Sequence, residues 1–265
     1  MRIDCLRLNS SDPPALLAFY RRAFDAAPAD FGFLLGVERI EIGLCENQGR
    51  EVFGSNETGF QHFAIVVADI SAAYAHLGGC SGWRPISLAG PEHLPMSSGG
   101  ASAFKFRDPE GHPLELLQFA PDAVPDIWRA RFAATPDRLF HGVDHTGLSV
   151  SDVEASQAFY VSLGFAAVHA QVNVGTEQAR LDGFSDKANA AVSIVSLSPN
   201  GGARPGIELL GYRQPPPIAK TARDGSVSAT YILIADPQGG PRPPCDPDGH
   251  RIDYAPAVQS PVNLS

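Results

Sequence analysis

Residues 144–164 read DHTGLSVSDVEASQAFYVSLG. Apolar and polar residues alternate over the opening, the pattern of a half-buried strand. Asp152 then stands where a helix N-cap belongs, able to accept from the free amides of the first turn. Val153, Ala155, Phe159, Tyr160 and Leu163 follow at helical spacing, and Gly164 closes the helix. The phrase recurs. Upstream, QHFAIVVADISAAYAHLGG sets His62 on His145, Val67 on Val150, Asp69 on Asp152 and Ala72 on Ala155. At the N-terminus, IDCLRLNSSDPPALLAFYRRAF sets Ser11-Asp12 on Ser151-Asp152 and Phe19-Tyr20 on Phe159-Tyr160. Proline just after Asp12 suits a helix start. A fainter copy begins at SATYILIAD, with Asp236 in the Asp152 place.

The copies also end alike. FKFRDPEGHPLELLQF predicts two strands joined at a DPEGH turn, the second carrying Glu115; Asp-Pro and Asp-Gly are strong turn formers. PGIELLGY carries Glu208 in the same phrase, ERIEIGL carries Glu41, and CDPDGHRIDYA repeats the turn with Asp253 in the carboxylate place. A strand, a helix and three more strands make a βαβββ unit. Four such modules span 1–55, 58–120, 141–213 and 226–256, an α+β chain of tandem units. Residues 121–140 form a linker with a short helix around Ile127–Phe132, and 257–265 a tail. The fourth module is expected to be degenerate. Only PQGGPRPPC separates its first strand from its turn, too little and too rich in proline for a helix and two strands.

Composition narrows the partners. Hydrophobic residues make up 44% of the 265 and charged residues 18%, enough apolar material for a large core. The net charge of -9 argues against nucleic acid and anionic membrane, which need a basic surface. The start has no charged-then-apolar signal pattern, and runs such as FAIVVA are too short to cross a bilayer. Cys5, Cys45, Cys80 and Cys245 are scattered without a CxxC pair, which fits reduced thiols in a cytoplasm.

The phrases DHTGLSVSDVEASQAFYVSLGF and DPEGHPLELLQF together resemble the opening and closing of a module of the vicinal oxygen chelate superfamily, which holds glyoxalases, bleomycin-resistance proteins and extradiol dioxygenases. The resemblance covers most of the chain, most strongly the second and third modules. It implies that paired modules form a cup around a divalent metal, with ligands from opening and closing strands. Carried over, the opening positions are Cys5, His62, His145 and Ala229, and the closing positions Glu41, Glu115, Glu208 and Asp253. Imidazole and carboxylate suit Zn, Fe(II), Mn, Ni or Co, whereas alanine binds nothing. Only the inner modules are fully equipped. If inner faces inner and outer faces outer, His62, Glu115, His145 and Glu208 form one complete metal site; the extradiol-type pairing leaves both cups short. Ligand arithmetic favours the first pairing.

The resemblance then implies a metal-dependent, glyoxalase-like lyase or isomerase working by proton transfer next to a carbonyl, with Glu115 and Glu208 as candidate bases. Two alternatives stay open. One is an extradiol-type ring-cleaving dioxygenase, against which Ala229 counts. The other is a non-catalytic, bleomycin-resistance-like binding protein, whose cup would be aromatic-lined by residues such as Phe63, Phe104, Phe106 or Tyr160. Relatives imply a small-molecule substrate and a homodimer. An inward Glu in LELLQ or IELLG is costly unless paired or coordinated. Other residues have plainer readings: Cys5 as a small buried strand residue, His112 and His250 as turn or surface residues, Tyr160 in helix–sheet packing, and the prolines 215–217 as a stiff loop. Asn173, Glu177, Gln178 and Arg180 either line a cup mouth or form a solvated hairpin; the hairpin is the expectation.

Overall fold

A computed structural model describes residues 1–45, 49–185, 188–199, 201–223, 226–227, 229–236, 239 and 241–255. The first module runs β1 (Arg2–Ser10), α1 (Pro13–Phe24), β2 (Ala27–Ala29), β3 (Gly32–Leu35) and β4 (Glu38–Leu44). The second runs β5 (Gln61–Val67), α2 (Ile70–Gly78), β6 (Arg84–Pro85), β7 (Glu92–His93), β8 (Ser102–Arg107) and β9 (Pro113–Gln118). The connection holds α3 (Asp126–Ala134), longer than the helix expected around Ile127–Phe132. The third runs β10 (Phe140–Ser149), α4 (Val153–Ser162), β11 (Ala166–Gly175), α5 (Thr176–Leu181), β12 (Ala190–Ser198) and β13 (Gly206–Gln214). β14 (Thr230–Ala235) and β15 (Arg251–Ala255) end the described chain. Among the described residues between them there is neither helix nor strand. The tail expected at 257–265 lies outside the described residues.

Local chemistry sets the helix starts. The side chain of Asp12 accepts from the amide of Ala15, that of Asp69 from Ser71 and Ala72, and that of Asp152 from Ala155. Each cap satisfies amides that have no partner within the helix.

Strand pairing joins the modules inner with inner and outer with outer. One sheet runs β11-β12-β13-β10-β5-β9-β8-β6, with β5 and β10 antiparallel at its centre. The other runs β15-β14-β1-β4-β3-β2. The helices pack against these sheets over a shared core that includes Phe19, Tyr20, Phe24, Phe63, Phe104, Phe106 and Tyr160. The aromatic residues proposed for a cup lining therefore belong to the core; Phe63, Phe104 and Phe106 are spent on packing.

The two DPxGH turns lock neighbouring modules. Asp108 accepts from the amides of Glu110, Gly111 and His112 through Oδ1, while its Oδ2 meets His112 Nδ1 at 2.8 Å and the Tyr20 hydroxyl at 3.0 Å. Asp246 repeats this, with the amides of Asp248 and His250 on Oδ1 and the Tyr160 hydroxyl on Oδ2. Helices of the first and third modules thus hold turns of the second and fourth. His112 and His250 sit in turns as expected, but they are buried, not on the surface, because the carboxylate they encircle is itself buried. The proline loop is tied down by Asn56, which donates to the Pro216 carbonyl.

Candidate metal centre

The central β5–β10 seam puts the opening residues of the inner modules together. The rings of His62 and His145 lie 5.6 Å apart between centroids, nearly perpendicular. Gly147 stands opposite His62 in the ladder, and a Cβ there would lie 2.1 Å from His62 Cε1. The glycine is what lets the imidazole cross the seam. Parallel neighbours bring in the carboxylates: Glu115 on β9 beside Ala64, and Glu208 on β13 beside Gly147.

His62, Glu115 and His145 each offer one ligand atom within 4.8 Å of the others, and all three are buried. His62 Nε2 is 3.3 Å from Glu115 Oε2, and His145 Nε2 is 3.3 Å from Glu208 Oε2. Neither contact has the alignment of a hydrogen bond. Both nitrogens of His62 and the Nε2 of His145 are buried without a hydrogen-bond partner. Glu208 adjoins the compact group without joining it.

Two further shells hold these side chains. His145 Nδ1 lies 3.1 Å from Asp144 Oδ2, and Asp144 also accepts from Trp128 Nε1 (2.6 Å) and Arg204 Nε (2.8 Å). A carboxylate on Nδ1 holds a ring so that Nε2 faces the site. Ser196 donates to Glu208 Oε1 at 3.1 Å. On the other side, Lys105 faces Glu115 across the β8–β9 ladder, its Nζ 3.8 Å from Glu115 Oε2 and 2.6 Å from Asp182 Oδ1.

Burial outweighs the Glu115 carboxylate and pulls the His62 imidazole down to about 4, so that it is neutral at pH 7. Burial opposes the charge of Glu115, yet His62, Lys105 and His145 hold it at about 2. Burial also opposes a charge on His145, but Glu208, Asp144 and Glu115 raise it to about 9. Asp144 sits at about 2, as His145 and Arg204 outweigh its burial.

The donor set fits a divalent ion on chemistry and on charge. Buried ring nitrogens without partners, next to carboxylates, are what zinc-like metals use. Glu115, Glu208, Asp144 and Asp182 bring four negative charges against the two fixed cations, Lys105 and Arg204. Two charges are left over, matching one dication, once His145, raised to about 9, gives up its proton to ligate through Nε2.

His62, Lys105, Glu115, Asp144, His145, Arg204 and Glu208 line a cleft of about 480 Å³, within the usual range for small-molecule sites. Leu94, Leu117, Leu181, Ile194 and Leu210 line it with apolar surface. Gln171, Asn173 and Gln178 form a hydrogen-bonded amide wall that ends on Asp182. The expected hairpin is corrected here: Thr176–Leu181 is helix, which turns Gln178 inward beside Asn173. Glu177 stays at the margin, and Arg180 pairs with Glu92. Lys105, Asp144, Trp128, Arg204 and Asp182 were missed by sequence reasoning. For Lys105 a signal existed, since in AFKFR it alternates with phenylalanines and shares the face of Glu115.

The outer pair is different. Arg7, two residues after Cys5, takes the place of Ala64 and Gly147 opposite the closing carboxylate Glu41. Its guanidinium bridges Glu41 (3.0 Å) and Asp253 (2.7 Å), and Arg39 also reaches Glu41. Cys5 is buried, and burial together with Glu41 pushes its thiol up to about 12. Ala229 is buried and offers no donor.

Comparison with known proteins agrees with this architecture. Residues 2–116 match the family model of the Glyoxalase/Bleomycin resistance protein/Dioxygenase superfamily. No curated protein matches the sequence. A glyoxalase I variant from Zea mays superposes with a TM-score of 0.59 at 17% identity, over 96% of this chain and 92% of its own. Glyoxalase I from Zea mays gives 0.52 at 18% identity, over 89% and 75%. A dioxygenase candidate from Bacillus subtilis gives 0.51 at 13% identity, over 89% and 71%. At these identities the likeness establishes the fold.

Proposed function

We propose that this chain, which has the glyoxalase fold and over residues 2–116 matches the Glyoxalase/Bleomycin resistance protein/Dioxygenase superfamily, is a metal-dependent, glyoxalase-like lyase or isomerase, moving a proton next to the carbonyl of a small hydroxy-carbonyl compound. The observation that carries the reading is the group of partnerless, buried imidazole nitrogens of His62 and His145 beside Glu115. His62, Glu115 and His145, with Glu208 adjoining, would hold the ion. Bound there, a divalent ion supplies Lewis acidity to a carbonyl oxygen.

The protein's own residues divide the remaining work. Glu115 is pinned between His62 and Lys105, its side chain only 9% exposed, which suits a fixed ligand. The Glu208 side chain is 25% exposed and lines the cleft; Ser196 holds its Oε1, and its Oε2 lies 3.3 Å from His145 Nε2 at the edge of the ligand group. Glu208 is therefore the base: it takes the proton from carbon and returns it to the neighbouring carbon. The apolar side of the cleft keeps water from competing for that proton.

Solvent-deuterium exchange into hydroxyacetone, followed by NMR on metal-loaded protein, tests the assignment. Glu208→Gln is expected to slow exchange by about a hundredfold or more while metal binding persists. Equal exchange in the variant, or equal exchange in metal-stripped wild type, would contradict it. The compact His62–Glu115–His145 group is also the two-His, one-carboxylate set of Fe(II) oxygenases. Glu208 beside His145 favours proton transfer, and an iron-dependent absorbance change with catechols would reverse that preference.

A further inference from the structure

Lys105 is a buried ammonium on the floor of the cleft, and the structure does not need it for closure. The end of α5 is already held by hydroxyls: Ser87 donates to the Leu181 carbonyl at 2.9 Å and Ser55 to the Asp182 carbonyl at 2.8 Å. Burying a lysine–aspartate pair is expensive, and an apolar pair of similar volume often serves stability as well. Lys105 is nonetheless 3% exposed and lines the cleft beside the ligand group. Asp182 fixes the ammonium at 2.6 Å, Gln178 fixes Asp182 at 2.7 Å, and Asn173 fixes Gln178 at 2.9 Å. Nζ then stands 3.8 Å from Glu115 Oε2, the oxygen that also meets His62. A positive charge is thus aimed, through a rigid relay, at the place where a substrate oxygen beside the ligand group would lie.

From this geometry we infer that Lys105 is a further catalytic residue, the hydrogen-bond donor to the oxyanion that develops on the substrate. The inference rests on the proton-transfer reading above and deepens it. The balance is simple. The C–H bond breaks, its proton goes to the Glu208 carboxylate, and the electron pair moves through the new C=C bond onto the carbonyl oxygen. That oxygen gains its negative charge facing the Lys105 ammonium. Returning the proton from Glu208 to the neighbouring carbon, as the hydroxyl proton of the second oxygen passes to the first, restores a carbonyl at the second oxygen, and no oxidant or reductant is consumed. A preorganised charged donor aimed at a developing charge is among the strongest catalytic devices in a water-poor cleft. The substrate class follows: a neutral carbonyl compound with a second oxygen on the adjacent carbon, which becomes anionic as it reacts.

The test uses acetohydroxamic acid, whose anion presents two neighbouring oxygens, and neutral dihydroxyacetone as the control, titrated into Co(II)-treated wild type, Lys105→Met and Lys105→Arg. Lys105→Met is expected to keep cobalt stoichiometry, to weaken acetohydroxamate binding at least about tenfold, and to leave dihydroxyacetone within about twofold. Lys105→Arg should recover part of the loss. An unchanged acetohydroxamate affinity, or equal weakening of both probes, would overturn the role. Protein that takes up no cobalt would overturn the proton-transfer reading itself; the same acetohydroxamate comparison without metal then still decides Lys105. If Lys105→Met does not fold, Lys105→Met with Asp182→Asn removes both charges together and reads the same ratio.

Discussion

Gly147 has no side chain and yet decides where His62 can be. Its missing Cβ is the space that the imidazole fills, at 2.1 Å from where a methyl would begin. Gly147→Ala is therefore expected to push His62 off the ligand group and weaken metal binding about ten- to a hundredfold, with the far-ultraviolet circular dichroism preserved. Calorimetric titration with Zn(II) or Co(II) checks it; unchanged affinity would mean that His62 is not a ligand. The glycine was visible in DHTGLSV, but its meaning was not, because it depends on a residue of another module 85 positions away. The same holds for Asp144, whose contact with His145 is local but whose partners Trp128, in the linker, and Arg204, before PGIELLGY, sit outside the repeated phrases. His62, Glu115, His145 and Glu208 could be singled out because each sits in a repeated phrase. Lys105 sits in no repeated phrase; its alternation with phenylalanines marks its face, but strand register is what brings it to Glu115.

At the scale of elements, the DPEGH turn does more than reverse the chain. His112 and Asp108 form a buried pair under Tyr20. Burial opposes both charges, but each outweighs it for the other, so that His112 is raised and Asp108 lowered from their ordinary values. The raised His112 stabilises the fold fully below its unfolded pKa, and that contribution fades as pH rises through the folded value. The lowered Asp108 stabilises above its unfolded pKa and fades as pH falls through the folded value. The pair thus contributes most between about pH 4 and 6.5. His112→Ala should cost about 3 kcal/mol there, and thermal melts across pH should show the gap to wild type narrowing at alkaline pH. A gap that widens with pH would contradict the pairing. The helix caps and turns were legible because their chemistry is local, in Asp12, Asp69, Asp152 and the DPxG runs. The α5 helix was misread because TEQARL follows a strand at a glycine, where a hairpin was equally allowed; packing of Gln178 and Leu181 inward decides it.

At the scale of the whole molecule, pairing decides how many working sites exist. The sheets join inner modules to inner and outer to outer, a choice that ligand arithmetic favoured and strand patterns alone could not make, since β-pairing is non-local. The inner cup gathers two imidazoles and two carboxylates; the outer cup holds Arg7 between Glu41 and Asp253, a fixed cation where a metal would otherwise be needed. Among the described residues no helix is long and apolar enough to cross a membrane. The proposed function therefore expects one divalent ion per chain, bound by the inner modules. Metal analysis after Co(II) or Zn(II) loading and desalting tests it most directly, on wild type, His62→Ala and His145→Ala. One equivalent in wild type, lost in both variants, is the result predicted. No retained metal, two equivalents, or one equivalent that survives both substitutions would contradict it.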